Sequence, residues 1–314
     1  MRLSVLLSLL APVCLAQTPA VPTLGWIARE EPGRFQRVAG IAGAAVLDAE
    51  AEAEFEPGKL VAVRPGSAMA VSVSGDGVAG LIRFEHSEAE ARGQAIEGAI
   101  QNAALAAWSP SGDALLLAGE GRMQVWRFEG GEILLVRELP LDAVGAAVSD
   151  GGSLVLAKTP GALYLIDESG GTQEVTRQPV EAFSFLAGGL RFAWVGEGAL
   201  WLGSREAPPE KIDLDPYAED ARRLLASAAK GKLLLAESSG GESRLRLLSS
   251  GGEVEAEWRV PAMVETLEPT GAAGILRLTT AGAGPVWMAD LGALEPAVFF
   301  VPRGVEQARQ GGER

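Results

Sequence analysis

The sequence predicts an all-β chain made of short strands, grouped in units that recur about every 40 residues. Three observations carry this: a recurring apolar pair, glycine-flanked apolar runs too short for helices, and glycine well above its usual share. The 40 glycines in 314 residues are about 13%, against a usual ~7%.

The apolar pair occurs in Leu81-Ile82-Arg83-Phe84, Val125-Trp126-Arg127-Phe128, Leu163-Tyr164-Leu165-Ile166, Leu200-Trp201-Leu202, Leu245-Arg246-Leu247 and Val286-Trp287-Met288. Gly25-Trp26-Ile27 opens the series. The second positions of these copies fall at 26, 82, 126, 164, 201, 246 and 287, with intervals of 56, 44, 38, 37, 45 and 41. Each of the last six copies follows another apolar run, as in Ala114-Leu115-Leu116-Leu117-Ala118 and Lys232-Leu233-Leu234-Leu235-Ala236. Those runs are four to six residues long; with glycine at their ends, strand is the consistent assignment. A third run comes after most copies, for example Glu132–Val136, Val254–Trp258 and Ala297–Val301. A strand before the turn, such as Ala104–Trp108, completes four per unit. Four short strands recurring near 40 residues predict the blades of a β-propeller. The excess glycine then falls in hairpin turns, which need positive φ, and asparagine is almost absent to share that duty.

Trp108-Ser109-Pro110-Ser111-Gly112-Asp113-Ala114-Leu115-Leu116-Leu117, followed by Met123-Gln124-Val125-Trp126-Arg127-Phe128, resembles a WD40-type repeat: an aromatic-Ser-Pro-Asp-Gly turn, an apolar strand and a Val-x-Val-Trp strand. The other units are degenerate versions. The family's Gly-His pair is missing, and its Trp-Asp ending is replaced by Trp126-Arg127. With His86 the only histidine, the Asp-His-Ser/Thr-Trp network of true WD40 blades cannot recur. The resemblance implies a WD40-like propeller of bacterial exported type, a fold that serves many functions. Residues 60–302 account for six units, and the Trp26 region supplies two or three strands more. Seven blades with a degenerate first one are favoured over six with an attached hairpin.

The leader Met1–Ala16 has one positive charge, a short apolar run and small residues at its end, the pattern of a secretory signal peptide cut before Gln17. Lipidation at Cys14 is the alternative, disfavoured by Val13 where a small residue is wanted. Cleavage removes the only cysteine, so a core without disulfides is expected. The expected organisation is a signal at 1–16, a propeller over 17–303 and a flexible tail at 304–314, in a bacterial periplasmic or extracellular protein. No second membrane-spanning stretch is expected, and the chain should be a soluble monomer. With 27 basic and 41 acidic side chains the net charge is −14. That argues against nucleic acid, whose phosphates need Lys and Arg.

Candidate chemistry is sparse. His86, between Glu85 and Glu88, reads as a solvated loop residue, since zinc needs companions that are lacking. Calcium needs only oxygen ligands; Asp213-Leu214-Asp215 with Glu219-Asp220, and the turn Ser74-Gly75-Asp76-Gly77, are acidic but lack EF-hand spacing. Glu50, Glu52, Glu54 and Glu56 read as a solvated edge or loop. Trp26, Trp126, Trp201 and Trp287 share one repeat position and read as packing between blades, while Trp108, Trp194 and Trp258 lie in or at the ends of strands. No nucleophile elbow or phosphate loop is present. The expectation is an exported, non-enzymatic binding or scaffolding module with no assigned catalytic or metal residues. Its partner would be a protein or a small molecule. The alternative is a calcium-dependent lactonase- or lyase-like enzyme using channel carboxylates; the character of the channel lining discriminates the two.

Overall fold

The computed structural model describes residues 22–29, 33–53, 60–84, 90–215, 217–218, 220–281 and 284–303. The leader with Cys14, the tail at 304–314 and His86 with its flanking glutamates lie outside these residues.

The N-terminal strands are β1 (Thr23–Ala28), β2 (Arg34–Ala39) and β3 (Val46–Ala53). Six runs of four follow. They are β4 (Leu60–Val63), β5 (Met69–Val73), β6 (Ala79–Phe84) and β7 (Glu90–Ala95); then β8 (Leu105–Trp108), β9 (Ala114–Gly119), β10 (Arg122–Glu129) and β11 (Glu132–Leu139). Next come β12 (Gly145–Val148), β13 (Val155–Lys158), β14 (Leu163–Ile166) and β15 (Thr172–Thr176), and then β16 (Ala182–Phe185), β17 (Phe192–Gly196), β18 (Ala199–Gly203) and β19 (Glu210–Asp213). The last two runs are β20 (Arg222–Ser227), β21 (Leu233–Ser239), β22 (Glu242–Leu248) and β23 (Val254–Val260), followed by β24 (Val264–Pro269), β25 (Ile275–Thr280), β26 (Val286–Asp290) and β27 (Ala297–Val301).

The last five runs are separate four-stranded antiparallel meanders. The first, β4–β7, joins β1–β3 in one seven-stranded sheet, because β3 pairs in parallel with β7 at Glu52–Glu90 and Ala53–Ala91. The strands expected from the repeats are therefore present, and the segment around Trp26 contributes three. The first strands of the six runs touch in cyclic order, β4-β8-β12-β16-β20-β24, and β24 returns to β4. The result is a propeller arrangement of four-stranded sheets around a central channel.

The apolar runs are continuous rather than alternating because both faces of each second strand are covered. Along β9, Leu115 and Leu117 enter the cluster shared with β5 and β6, while Ala114, Leu116 and Ala118 enter the one shared with β13. Each buried leucine of this kind contributes about 1.5–3 kcal/mol relative to exposure. Among the described residues seven such clusters lie between neighbouring units, two of them flanking β1–β3. Outer strands carry the charge, as in Glu210 and Lys211 of β19 or Glu255 and Glu257 of β23.

β1 wedges beside β25 and β4. The Thr270 Oγ1 hydroxyl donates to the Leu24 carbonyl at 2.8 Å. Gly25 has φ +107°, and a Cβ there would meet Gly271 N at 2.6 Å, so only glycine admits this approach. Two-residue hairpins at Glu120-Gly121 and Glu197-Gly198 place both glutamates at φ 52°. That conformation normally goes to asparagine or glycine; in a chain whose only asparagine is Asn102, glutamate takes the strain.

Candidate functional site

The inner strands run side by side around the channel, and five of them contribute their C-terminal halves to a cavity of about 450 Å³. Its wall is built from short uncharged side chains: Ala107 on β8, Ala146 and Ala147 on β12, and Ala226 on β20. Leu225 and Leu267 supply larger apolar surface, and Trp108 closes one side. Among the described residues, no ionisable side chain lines it. The carboxylates that a calcium-dependent channel chemistry would need are not part of this wall.

The cavity opens on the face carrying the turns between first and second strands, and those turns are tied edge to edge. Five of the six turns close through an N–H(i) to O(i+5) hydrogen bond, for example Ser109 N–H to Ala114 O at 2.8 Å and Ser149 N–H to Leu154 O at 3.0 Å. Side chains then link one turn to the next. Arg64 Nε donates to Gly112 O at 2.6 Å, with its guanidinium 4.0 Å from the Phe128 ring centroid. Asp113 accepts from Gly151 N–H at 2.9 Å. Asp150 reaches in both directions, accepting from Ser111 N–H at 2.8 Å and Gly188 N–H at 2.7 Å. Ser227 Oγ accepts from Ala187 N–H at 3.0 Å. Backbone donors meeting carboxylates give charge-assisted bonds, so the mouth is a fixed frame. The sequence does contain a signal for it: an aspartate follows a serine in the turns at Ser109–Asp113 and Ser149–Asp150, about one repeat apart. Only the folded ring shows that these aspartates reach neighbouring turns.

A second concentration of charge lies between β16–β19 and β20–β23. Glu237 on β21 is fully buried. Its Oε2 accepts from Arg246 Nη2 at 2.7 Å and Arg244 Nη2 at 2.8 Å, and its Oε1 accepts from Arg223 Nε at 3.3 Å. Arg223 continues to Glu181 at 3.1 Å. Register explains the convergence, since Arg223 and Arg244 are the cross-strand partners of Glu237. Arg244 also lies 4.9 Å from the Tyr217 ring centroid. Burial, with Glu242 nearby, pushes the Tyr217 hydroxyl above its ordinary range. Nothing in the residue pattern singled out Glu237.

The residues singled out in the sequence are dispersed. Asp213 is exposed and pairs with Lys211 at 2.7 Å; Asp220 accepts from Ser239 Oγ at 2.9 Å; Asp215 offers its carbonyl to Arg244. Glu219 lies outside the described residues. Asp76 accepts from the Ser74 hydroxyl, which holds its carboxyl below the usual carboxylate range. Glu50 pairs with Arg29 at 3.5 Å and Glu52 is exposed, while Glu54 and Glu56 lie outside the described residues. β3 is no free edge, because β7 pairs with it. Among the described residues, no group of three or more His, Cys, Asp or Glu side chains is placed to hold a metal ion, and no helix is long and apolar enough to cross a membrane.

The tryptophans are packing residues, with one difference from the repeat frame. Trp126, Trp201 and Trp287 stand on third strands, and Trp201 stacks on Trp194 at 5.8 Å. Trp26 instead stands on β1, the inner strand of the three-stranded part, stacked 4.7 Å from Phe84.

No family model and no curated protein matches the chain. Solved structures do. A functionally unknown protein from Desulfotomaculum acetoxidans DSM 771 superposes with TM-score 0.55 at 11% identity, covering 89% of this chain and 99% of that one. The β-propeller domain of Cps50 (Swd1) from Myceliophteria thermophila gives TM-score 0.55 at 14% identity, over 77% of this chain and 86% of that one. At such identities the likeness is one of fold alone. With the four-stranded sheets around a channel, it shows a β-propeller fold, in which the Trp108–Phe128 segment resembles a WD40-type repeat.

Proposed function

We propose that this chain is an exported, non-enzymatic binding and scaffolding module whose working surface is the turn-bearing face around the channel. The observation that carries it is the uncharged wall of the cavity at the turn end of the channel, where among the described residues alanine, leucine and serine stand in place of the convergent carboxylates a propeller enzyme needs. The linked turns favour the same reading, because a preformed face loses little conformational freedom when a partner docks. Export rests on the Met1–Ala16 leader pattern. We count seven blades, reading β1–β3 as a first blade of three strands that lacks a channel-lining strand; the seven interfacial clusters support that count.

The test is crosslinking of the tagged, exported chain in the envelope fraction. Parallel samples carry Asp150→Arg and Ser111→Arg on the turn face. A stoichiometric partner lost in these variants is expected. Calcium-dependent turnover of a lactone, glycan or quinone by the purified chain would instead establish the enzyme alternative.

A further inference from the structure

We propose that the central channel is a binding site for an uncharged, predominantly apolar small molecule, independent of any partner docked on the face around it. The cavity of about 450 Å³ falls within the ~300–1,000 Å³ usual for small organic ligands. Its volume has an identifiable origin. Ala107, Ala146 and Ala226 stand on inner strands, where a larger side chain would fill the bore. Trp108, Leu225 and Leu267 add larger apolar surface.

The charge pattern selects the class of occupant. Among the described residues no charged side chain lines this cavity, in a chain with 27 basic and 41 acidic side chains and a net charge of −14. An ion entering would lose hydration without gaining a counter-charge, whereas an uncharged apolar molecule loses little. Ser111, Ser184 and Ser227 give the lining some polar surface, but water against the alanine and leucine part finds few hydrogen-bond partners, so its displacement there favours such a ligand. Of the serines in the lining, Ser227 offers a polar handle. Ser227 Oγ accepts from Ala187 N–H at 3.0 Å, which leaves its own proton to donate to a carbonyl or hydroxyl of the ligand. The stitched turns keep the opening preformed.

The experiment titrates the purified chain with N-phenyl-1-naphthylamine, a neutral apolar fluorophore, and with the anionic 1-anilinonaphthalene-8-sulfonate. Saturable binding of the neutral probe is expected, at least about tenfold tighter than the sulfonate. Ala146→Leu/Ala226→Leu fills the bore and should weaken the neutral probe at least about tenfold, with circular dichroism reporting whether the variant folds. Ala187→Trp, at the mouth, gives a second obstruction that leaves the strands untouched. Leu134→Lys/Leu135→Lys, on the exposed aliphatic stretch of β11, should leave binding unchanged. Absence of saturable binding overturns the proposal. So does binding that survives both obstructions, or that is lost in the β11 variant.

Discussion

The runs β8–β11 and β20–β23 solve one packing problem in opposite ways. In the first, Trp126 on the third strand stands opposite Leu115 and is buried among Val71, Leu81 and Leu117. In the second, Arg246 occupies the equivalent place, opposite Leu235, and is equally buried. Glu237 then stands where the first unit has Leu117, and Arg244 where it has Gln124. An indole fills the space by volume; an arginine does so only with a carboxylate brought in and further guanidiniums around it. The repeat is thus held by backbone register and turn closure, and the side-chain chemistry at a repeat position is free to change if its surroundings change with it. The two solutions differ in tolerance: buried ion clusters add little net stability, yet removing one member leaves uncompensated charge.

Breaking either solution should have the largest effect. Glu237→Leu strands three guanidiniums and should cost about 3–5 kcal/mol; Trp126→Ala should cost a similar ~3–5 kcal/mol through its cavity. Urea unfolding measures both, and a Glu237→Leu loss under about 1 kcal/mol would show the cluster to be loosely solvated. Converting one solution into the other is a sharper test. Glu237→Leu with Arg244→Gln and Arg246→Trp copies the first unit and should return stability to within about 2 kcal/mol of the parent, since apolar replacements of buried ion clusters are often neutral or better. A triple variant as unstable as Glu237→Leu alone would mean that the neighbouring blade, not the cluster, dictates the chemistry at this position.

Smaller effects test the parts common to both units. Asp150→Ala removes two charge-assisted bonds at a half-exposed site and should cost about 1–2 kcal/mol. Increased amide exchange at Ser111 and Gly188 should accompany it, and unchanged exchange would deny the stitching. Glu197→Asn places a residue suited to positive φ in its hairpin and should raise stability by about 0.5–1 kcal/mol. A lower melting temperature would contradict the turn geometry.

Much of this molecule is legible residue by residue. The runs at 114–118 and 232–236 read as strands because they are apolar, glycine-bounded and too short for helices, and they fold as β9 and β21. The turn at Ser109–Asp113 was visible as a turn. Its carboxylate reaching Gly151 was not, because that contact joins residues 38 apart and depends on how adjacent sheets stack. By its neighbours Gly25 and Ile27, Trp26 reads as a third-strand residue, yet its strand lies at the inner edge of a three-stranded part. Local pattern marks a strand without fixing its rank in a sheet.

By itself the sequence determined the all-β class, the unit length, the positions of the strands and the poverty of catalytic side chains, all of which follow from local periodicity and composition. Tertiary structure decided the rest. The parallel β3–β7 pairing, the burial of the Glu237 cluster against the neighbouring unit and the uncharged wall of the channel cavity all arise where separate units meet. A contact between units depends on the angle and register at which whole sheets pack, quantities that no single unit encodes.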